Sequence, residues 1–392
     1  MPTLDLTVRS TAVEPLRRGH PWLYREQIAK VQGAPVVGAE ARLFAPDRTP
    51  LGRALVALDE PIAARSFTRR DEPIDDALFQ RRIERALGLR DALFADGGTS
   101  AFRGVHGEGD RLPGFVVDRY DRIAVLRTDG AAARVHVDRF ARALLDAAGK
   151  GLDTLVHRVA TKGETPELHL LHGSTPPDEI VVREHGVPFV VDLARGQKTG
   201  AFLDQRDNRR RVGAMAQGRR VLNLFSYAGG FSLHAAFGGA TRVTSVDIAA
   251  RAHATAQKSF KLAGVEPQKH EFVAADAFAF LESARRNGRT FDLVVCDPPS
   301  FAPNERSVSR ALSAYRSLHR ACAGVLAKDG VLCAASCSSH VDMGAFLGTL
   351  DDESTGAELT ILETFGPPPD HPTLPAWPEG RYLKFVVTAR QR

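Results

Sequence analysis

The C-terminal half of the chain alternates short apolar runs with amphipathic stretches. From about residue 186, each apolar run is followed by a polar or glycine-containing turn and then by apolar positions at helical spacing. The predicted strands cover residues 220–225, 242–246, 270–274, 291–296 and 330–335, with a last strand over residues 381–387. This alternation predicts a parallel sheet covered by helices, because parallel strands need a crossover between them.

The first 185 residues have a different pattern. Residues 1–72 contain short strand-like runs separated by Gly and Pro, which predicts a small β-rich domain. Residues 73–185 combine a helix after the polar break near residue 75, several strands, and a helix over residues 135–148. That mixture predicts a middle α+β domain. The organisation we predict is therefore three domains: 1–72, 73–185 and 186–392.

Composition restricts the class of protein. The chain has 392 residues, 43% hydrophobic and 25% charged, which is ordinary for a soluble protein and too long for one core. A net charge of +5 permits a polyanionic partner. We find neither a signal-peptide pattern nor an apolar run of about 18 residues, so we expect a cytoplasmic protein that does not act at a membrane. The four cysteines lack CxxC spacing, which argues against a structural zinc site and predicts no bound metal.

Two apolar strands end in residues that carry chemistry. Residues 291–296 lead directly into Asp297-Pro298-Pro299, and residues 330–335 lead into Ser336 and Cys337. Two prolines hold a rigid, non-helical backbone beside the Asp297 carboxylate. If the two strands are parallel neighbours, an acid and a thiol lie at the carboxyl edge where open α/β sheets bind ligands.

A glycine-containing turn and two acids mark the rest of that edge. The strand 220–225 leads into Gly229-Gly230, where backbone can approach a ligand closely. The next two strands end in Asp247 and Asp276, which are placed to accept hydrogen bonds from a ribose and an amine. The alternative is a structural turn, with each Asp capping a helix.

The cofactor that suits this pattern is S-adenosylmethionine. A dinucleotide needs a Gly-x-Gly-x-x-Gly turn for its pyrophosphate, and that fingerprint is absent. S-adenosylmethionine carries no phosphate and needs acceptors for its ribose and adenine amine. Three successive acids, Asp247, Asp276 and Asp297, meet that need better.

Longer motifs resemble a known family over essentially the whole chain. The C-terminal part resembles class I S-adenosylmethionine-dependent methyltransferases, with a Rossmann-like sheet, and within them the large-subunit ribosomal RNA methyltransferase I family. The stretches that carry this likeness are residues 196–209, 225–232, 297–301, 336–338, 370–372 and 379–384. Residues 18–22 resemble the start of the family's PUA domain, and residues 111–118 resemble its middle domain.

The resemblance implies a fold, an activity and partners. It implies a PUA β-barrel that binds RNA, followed by a methyltransferase that forms 5-methylcytidine in 23S rRNA. The resemblance implies S-adenosylmethionine as the cofactor and large-subunit rRNA as the partner. Whether the protein forms a homodimer stays open. The residues we expect at the cofactor are Phe202, Asp204, Gln205, Phe225, Tyr227, Gly229, Asp247, Asp276 and Asp297.

The chemistry of C5 methylation gives Cys337 a role. Cytosine C5 is a poor nucleophile, and addition of a thiolate at C6 activates it. We expect Cys337 to be that nucleophile and Asp297 to hydrogen-bond cytosine N3 or its exocyclic amine. The alternative for Cys337 is a buried cysteine of the core. The alternative for Asp297 is a role in cofactor binding or in the turn. We expect Arg206 and Arg209 to face RNA phosphate or to cap the domain.

Two other functions fit parts of the sequence. An N-methyltransferase acting on guanine N7 or an exocyclic amine would use Asp297-Pro298-Pro299 and would not need Cys337. An RNA-binding assembly factor could keep the fold without turnover. The sequence leaves open the modified nucleotide, the substrate particle, the oligomeric state and the general base.

Overall fold

The computed structural model describes residues 4–159, 166–302 and 304–391, and the first three residues of the predicted N-terminal domain lie outside these ranges. The chain forms two compact units. The first unit comprises Met1–Ile180, Leu193–Leu203 and Pro369–Gly380. The second unit comprises Val181–Asp192, Asp204–Pro368 and Arg381–Arg392.

The N-terminal part of the first unit contains a six-stranded sheet among its described residues. The strands are β1 (Leu4–Val8), β2 (Trp22–Tyr24), β3 (Ile28–Gln32), β4 (Glu40–Phe44), β5 (Pro50–Val56) and β6 (Ile62–Thr68), with α1 (Ser10–Arg18) between β1 and β2. Their order is β2-β6-β5-β4-β1-β3, and β1 is parallel to β4. The alternating apolar residues Leu6, Leu23 and Leu43 fill its core, as the predicted β-rich domain requires.

A second sheet in the first unit carries helices. Its described strands are β7 (Ala101–His106), β8 (Phe115–Tyr120), β9 (Ile123–Thr128), β10 (Thr154–Val159) and β11 (Glu167–His172), accompanied by α2 (Asp76–Leu93), α3 (Ala131–Val135) and α4 (Val137–Ala148). Asp75 caps α2, because its side chain accepts a hydrogen bond from the Leu78 amide. The helix predicted over 135–148 is confirmed from Val137 onward.

A short strand pair follows. Strands β12 (Glu179–Glu184) and β13 (Val187–Asp192) form a two-stranded sheet. The predicted boundary between residues 185 and 186 falls in the turn between these strands, where both residues have positive φ. The division into three domains stays a prediction.

The second unit contains a seven-stranded sheet among its described residues. The strands are β14 (Arg220–Leu224), β15 (Arg242–Asp247), β16 (Glu271–Ala274), β17 (Phe291–Cys296), β18 (Leu326–Ser336), β19 (Leu359–Phe365) and β20 (Lys384–Arg390). Their order is β16-β15-β14-β17-β18-β20-β19. The first five are mutually parallel, which confirms the five predicted strands within four residues at each end.

One edge of this sheet departs from the parallel pairing that the alternation of strands and helices predicts. Strand β20 is antiparallel to both β18 and β19. The strand β19 was not predicted, because its side chains are mostly exposed and its apolar pattern is weak. The last strand also begins three residues later than predicted, at Lys384.

Helices cover the second sheet. They are α5 (Arg206–Met215), α6 (Gly230–Phe237), α7 (Ala250–Leu262), α8 (Ala277–Arg286), α9 (Val308–Ala323), α10 (Met343–Leu347) and α11 (Asp352–Thr355). Fully buried residues of β17, such as Val294 and Val295, pack on both faces, which explains why these strands are continuous apolar runs. Within the ranges that the structure describes, no helix has the length and apolar content to span a bilayer.

Candidate active site

The turn after β14 has a strained backbone. Phe225 and Tyr227 adopt φ angles of 56° and 46°, and Gly229 follows with φ 75°. Positive φ is uncommon for aromatic residues and concentrates at functional sites. The turn ends at Gly230, the first residue of α6.

Asp247, the last residue of β15, holds this turn. One carboxylate oxygen, Oδ2, accepts a hydrogen bond from the Tyr227 amide at 2.7 Å, and Oδ1 accepts one from the Ala249 amide at 2.8 Å. The carboxylate therefore joins the turn after β14 to the loop after β15. The half-exposed side chain keeps lone pairs for a further donor.

Asp276 lies at the next strand end and caps a helix. Its Oδ1 accepts a hydrogen bond from the Ala279 amide at 3.0 Å, which makes it the N-cap of α8. The Ala275 amide donates to the Asp247 carbonyl at 3.1 Å, so the loops after β15 and β16 are adjacent. The structure thus brings Asp247 and Asp276 together and also gives Asp276 the predicted alternative role of a cap.

The two glycines have a packing role that the sequence does not reveal. A Cβ on Gly229 would lie 2.7 Å from the Cβ of Ala256 on α7, and a Cβ on Gly230 would lie 2.8 Å from Arg209 Cδ. The first glycine also needs its positive φ. Both glycines are therefore required by neighbouring helices, beyond any approach of a ligand.

The prediction that Arg206 and Arg209 face RNA is wrong. Arg206 is 2% exposed and Arg209 is 7% exposed. The Arg209 guanidinium forms a two-point ion pair with Glu184, and its Nε donates to Glu184 Oε2 at 2.8 Å. Burial alone would raise the pKa of Glu184, but Arg209 and His234 outweigh it and lower that pKa to about 2. These buried arginines stabilise the fold, and Arg209 lies against Gly230 at the end of the turn after β14.

Three of the residues expected at the cofactor belong to different units. Phe202 belongs to the first unit, where the Lys198 ammonium lies 4.4 Å from its ring centroid. Asp204 and Gln205 belong to the second unit and lie in a 3₁₀ turn before α5. Both side chains are 3% exposed, and Asp204 Oδ2 accepts a hydrogen bond from the Tyr382 hydroxyl at 2.8 Å.

Cys337 follows the last residue of β18 and is half-buried, whereas three cysteines lie in the core: Cys296, Cys322 and Cys333. Each of those three is 0% exposed. Burial raises the pKa of Cys333 to about 12, so its thiol stays protonated. Among the four, only Cys337 is partly exposed to solvent.

A hydroxyl network joins the two strand ends. Asp297 follows β17, which is parallel to β18 with Cys296 opposite Ala334. In the loops beyond, Ser300 Oγ lies 2.9 Å from Ser338 Oγ. The Tyr315 hydroxyl, on α9, lies 2.9 Å from Ser336 Oγ and 3.3 Å from Ser338 Oγ. This network fixes the Asp297 loop against the Cys337 loop, as the parallel register predicted.

Lys384 is the site residue that sequence reasoning missed. Its side chain is 2% exposed, and its ammonium group donates to the carbonyls of Ser338, Val341 and Tyr382 at 2.5, 2.6 and 2.8 Å. Burial lowers the pKa of Lys384 to about 8, while electrostatic attraction from Cys337 acts in the opposite direction. The signal in the sequence was a lysine beginning an otherwise apolar strand.

The edge fits S-adenosylmethionine. Carboxylates at the ends of two adjacent strands, Asp247 and Asp276, supply acceptors for a ribose diol and an amine. The strained turn beside them offers backbone donors, and α6 lacks the glycine fingerprint of a pyrophosphate site. The donor set suits a nucleoside without phosphates.

Comparisons with known proteins agree with this geometry. Residues 130–382 match the family model of S-adenosylmethionine-dependent methyltransferases, and residues 6–69 match the model of a PUA-like domain. The SMU.776 methyltransferase, solved in complex with SAH, superposes with a TM-score of 0.88 at 25% identity, covering 98% of this chain and 99% of its own. The predicted fold class and cofactor are confirmed.

Curated relatives extend over nearly the whole chain. The "Ribosomal RNA large subunit methyltransferase I" of Aliivibrio fischeri is 34% identical over 377 residues, covering 94% of this chain and 95% of its own. The protein of that name from Aeromonas salmonicida is 35% identical over 389 residues, covering 96% of each. With the strand order, the acids at the strand ends and the N-terminal sheet all accounted for, this chain belongs to the ribosomal RNA large subunit methyltransferase I family of S-adenosylmethionine-dependent methyltransferases.

Proposed function

We propose that this protein methylates C5 of a cytidine in large-subunit ribosomal RNA through a covalent adduct at Cys337. The observation that carries the proposal is the position of that thiol. It lies beyond the carboxyl end of β18, beside the Asp297 loop and the Lys384 ammonium, whereas the other three cysteines are fully buried. The rRNA substrate is supported by the names of the relatives from Aliivibrio fischeri and Aeromonas salmonicida.

The cofactor is held by the strained turn and the two acids. Asp247 and Asp276 accept from its ribose and adenine amine, and the turn from Phe225 to Gly229 supplies backbone donors. Asp204 and Gln205, both in the second unit, remain part of the proposed cofactor site, and the role of Phe202 stays a prediction from the sequence. When bound, S-adenosylmethionine supplies a methyl group activated by its sulfonium charge.

The protein's own residues activate the base. The Cys337 thiolate forms a bond to C6, and the C5–C6 π electrons move to C5, which becomes the nucleophile. The Lys384 ammonium favours the thiolate, because the two opposite charges attract in a buried setting. Asp297 hydrogen-bonds N3 or the exocyclic amine, where charge collects. After C5 takes the methyl group, a base removes the C5 proton and the S–C6 bond breaks, which restores the thiolate.

A substrate that blocks the last step tests this chemistry. In an rRNA fragment containing 5-fluorocytidine, C5 carries fluorine in place of the proton, so elimination stops and the adduct persists. We expect a protein–RNA complex that survives denaturing electrophoresis, formed only in the presence of the cofactor. Cys337→Ala should abolish it, and Cys333→Ala, which alters a buried cysteine on the same strand, should not.

The alternative chemistries give different results. An N-methyltransferase would form no trapped complex, and its Cys337→Ala variant would methylate RNA at the normal rate. An assembly factor would leave the nucleosides unchanged. Mass spectrometry of nucleosides from rRNA incubated with the protein separates these outcomes, and absence of 5-methylcytidine would overturn the proposal.

A further inference from the structure

The first unit contains a cavity of about 440 Å³ that the methyl-transfer mechanism does not use. Its size is within the range of ligand-binding cavities, roughly 300–1,000 Å³. Its walls come from the residues after β6, from α2, and from the loop between β7 and β8. The arginines that line it are Arg69, Arg70, Arg81, Arg82, Arg85 and Arg111.

The charge in this cavity is strongly unbalanced. Against the six arginines stand Glu72 and Glu108, an excess of four positive charges. Glu108 is already neutralised outside the cavity lining by the Arg65 guanidinium, whose Nη1 donates to it at 2.6 Å. Glu72 accepts from Arg81 at 3.3 Å. The carboxylates therefore offset little of the cavity's positive charge.

The arginines also repel one another. Burial and then the nearby positive charges of Arg111 and Arg81 lower the pKa of Arg82 to about 10, despite attraction from Glu72. Burial and then Arg69 and Arg85 lower the pKa of Arg111. With a pKa of about 10, Arg82 stays charged at neutral pH. Within the described part of the chain, neither Arg85 nor Arg111 forms an ion pair, so no carboxylate offsets their positive charges directly.

The local structure brings the cavity's arginine side chains close to one another. Arg81 and Arg85 are one helical turn apart on α2 and share a face. The Arg82 Nη1 donates to the Arg111 carbonyl at 2.5 Å, which ties α2 to the loop that carries Arg111. The apolar floor is formed by Phe67, and the Arg82 guanidinium lies 5.9 Å from its ring centroid.

We propose that this arginine-lined cavity, which we call the arginine cavity, binds the sugar–phosphate backbone of the RNA substrate. Guanidinium groups bind phosphate oxygens in pairs, and an apolar floor suits the sugars and bases between phosphates. RNA is favoured over an acidic protein segment because the relatives are rRNA methyltransferases, so the inference rests on the proposed function. In this proposal the arginine cavity contributes to the affinity for RNA, and the second unit determines which atom is methylated.

The affinity of the full-length protein for RNA tests the assignment. Fluorescence anisotropy with a labelled single-stranded RNA would be measured at several salt concentrations for the wild type and for Arg85→Gln/Arg111→Gln. Each lost phosphate contact reduces the salt slope by about 0.7 and the affinity at 0.1 M salt by about fivefold. We expect a slope smaller by about 1.4 and binding weaker by about 25-fold.

Matched variants separate charge at this site from charge in general. Arg127→Gln/Arg142→Gln removes two exposed arginines of the same unit that do not line the cavity, and it should bind RNA nearly as the wild type does. Arg85→Lys/Arg111→Lys keeps the charge and should restore most of the affinity. Circular dichroism checks that each variant is folded.

Two results would overturn the assignment. One is that Arg85→Gln/Arg111→Gln binds RNA with the same affinity and the same salt slope as the wild type, or as the control variant Arg127→Gln/Arg142→Gln. The other is competition by inorganic phosphate or a 5′-mononucleotide at concentrations comparable with RNA nucleotides, which would identify a small-anion site. Calorimetry with S-adenosylmethionine and the 5-fluorocytidine trap report on the second unit, so failure of the arginine cavity is distinguishable from failure of C5 methylation.

Discussion

Replacing Glu184 with glutamine should destabilise the second unit, because it leaves the Arg209 cation buried without its carboxylate. Glu184 is 1% exposed and accepts from two nitrogens of Arg209, and His234 Nε2 lies 3.6 Å from its Oε2. Removing one partner of a buried pair is costly, since the remaining charge has lost its compensation and cannot reach water.

The pKa of Glu184 sets the magnitude and the pH range. Its value of about 2, against an ordinary 4.5, is a difference of about 2.5, which corresponds to about 3 kcal/mol of stabilisation. Because the folded pKa is the lower one, this stabilisation is complete above about pH 5. It is lost as the pH falls from there to about 2, where the carboxyl is protonated in both states.

Urea unfolding of wild type and Glu184→Gln at a series of pH values measures the effect. Both tryptophans, Trp22 and Trp377, lie in the first unit, so far-UV circular dichroism is the better probe. At pH 7 we expect a midpoint lower by about 1–3 M urea, which is about 3 kcal/mol divided by slopes of about 1–3 kcal/mol per M. The difference should shrink steadily below pH 4.5.

An exposed carboxylate provides the control. Glu266 pairs with Lys269 on the surface of the same unit, so Glu266→Gln should leave the midpoint unchanged within error. A Glu184→Gln midpoint equal to that of the wild type at pH 7, or a difference that does not depend on pH, would refute the assignment of this stabilisation to the ionised pair.

Three further predictions concern the active-site edge. Lys384→Met should raise the pH midpoint for iodoacetamide alkylation of Cys337, because the positive charge that attracts the thiolate is lost. Peptide mass spectrometry measures the alkylation, and an unchanged midpoint would exclude the electrostatic role. Gly229→Ala should weaken S-adenosylmethionine binding at least tenfold in calorimetry, because the added Cβ would lie 2.7 Å from the Cβ of Ala256. Gly264→Ala is the control, since Gly264 has a similar φ of 72° but open space around it, and it should leave the affinity unchanged. Asp247→Asn should weaken the same binding about tenfold or more, since an amide NH₂ would oppose a backbone N–H that the carboxylate now accepts. Wild-type affinity in that variant would remove Asp247 from the cofactor site.

The parallel strands and the residues at their ends could be predicted from the sequence because both signals are local. A continuous apolar run indicates a strand buried on both faces, and the first polar residue marks its end. Asp247, Asp276, Asp297 and Cys337 all stand at such points, and the common edge follows from parallel pairing alone. The helices α2 and α4 and the N-terminal strands were predictable for similar reasons.

Whether a charged residue is buried or exposed could not be predicted in this way. Arg209 has the sequence context of an exposed helical arginine, and its partner Glu184 lies 25 residues earlier on β12. Whether such a residue meets water or a buried carboxylate depends on tertiary pairing, which no local pattern records. Lys384 is a similar case, since its three acceptors are backbone carbonyls that exist as a group only in the folded loop.

The two halves of the edge are held by different interactions, which has a consequence for function. Arg209 of the Glu184–Arg209 pair packs against Gly230, the last residue of the turn after β14. Loss of the pair should therefore displace this turn and weaken cofactor binding together with stability. Around the thiol, Lys384 orders a loop through backbone carbonyls and contacts no part of that turn within the described hydrogen bonds. Substitutions there should lower the rate of methyl transfer while the affinity for S-adenosylmethionine stays near that of the wild type. A calorimetric Kd that rises in Glu184→Gln but not in Lys384→Met would therefore show that cofactor binding and activation of the base are built independently on one sheet edge.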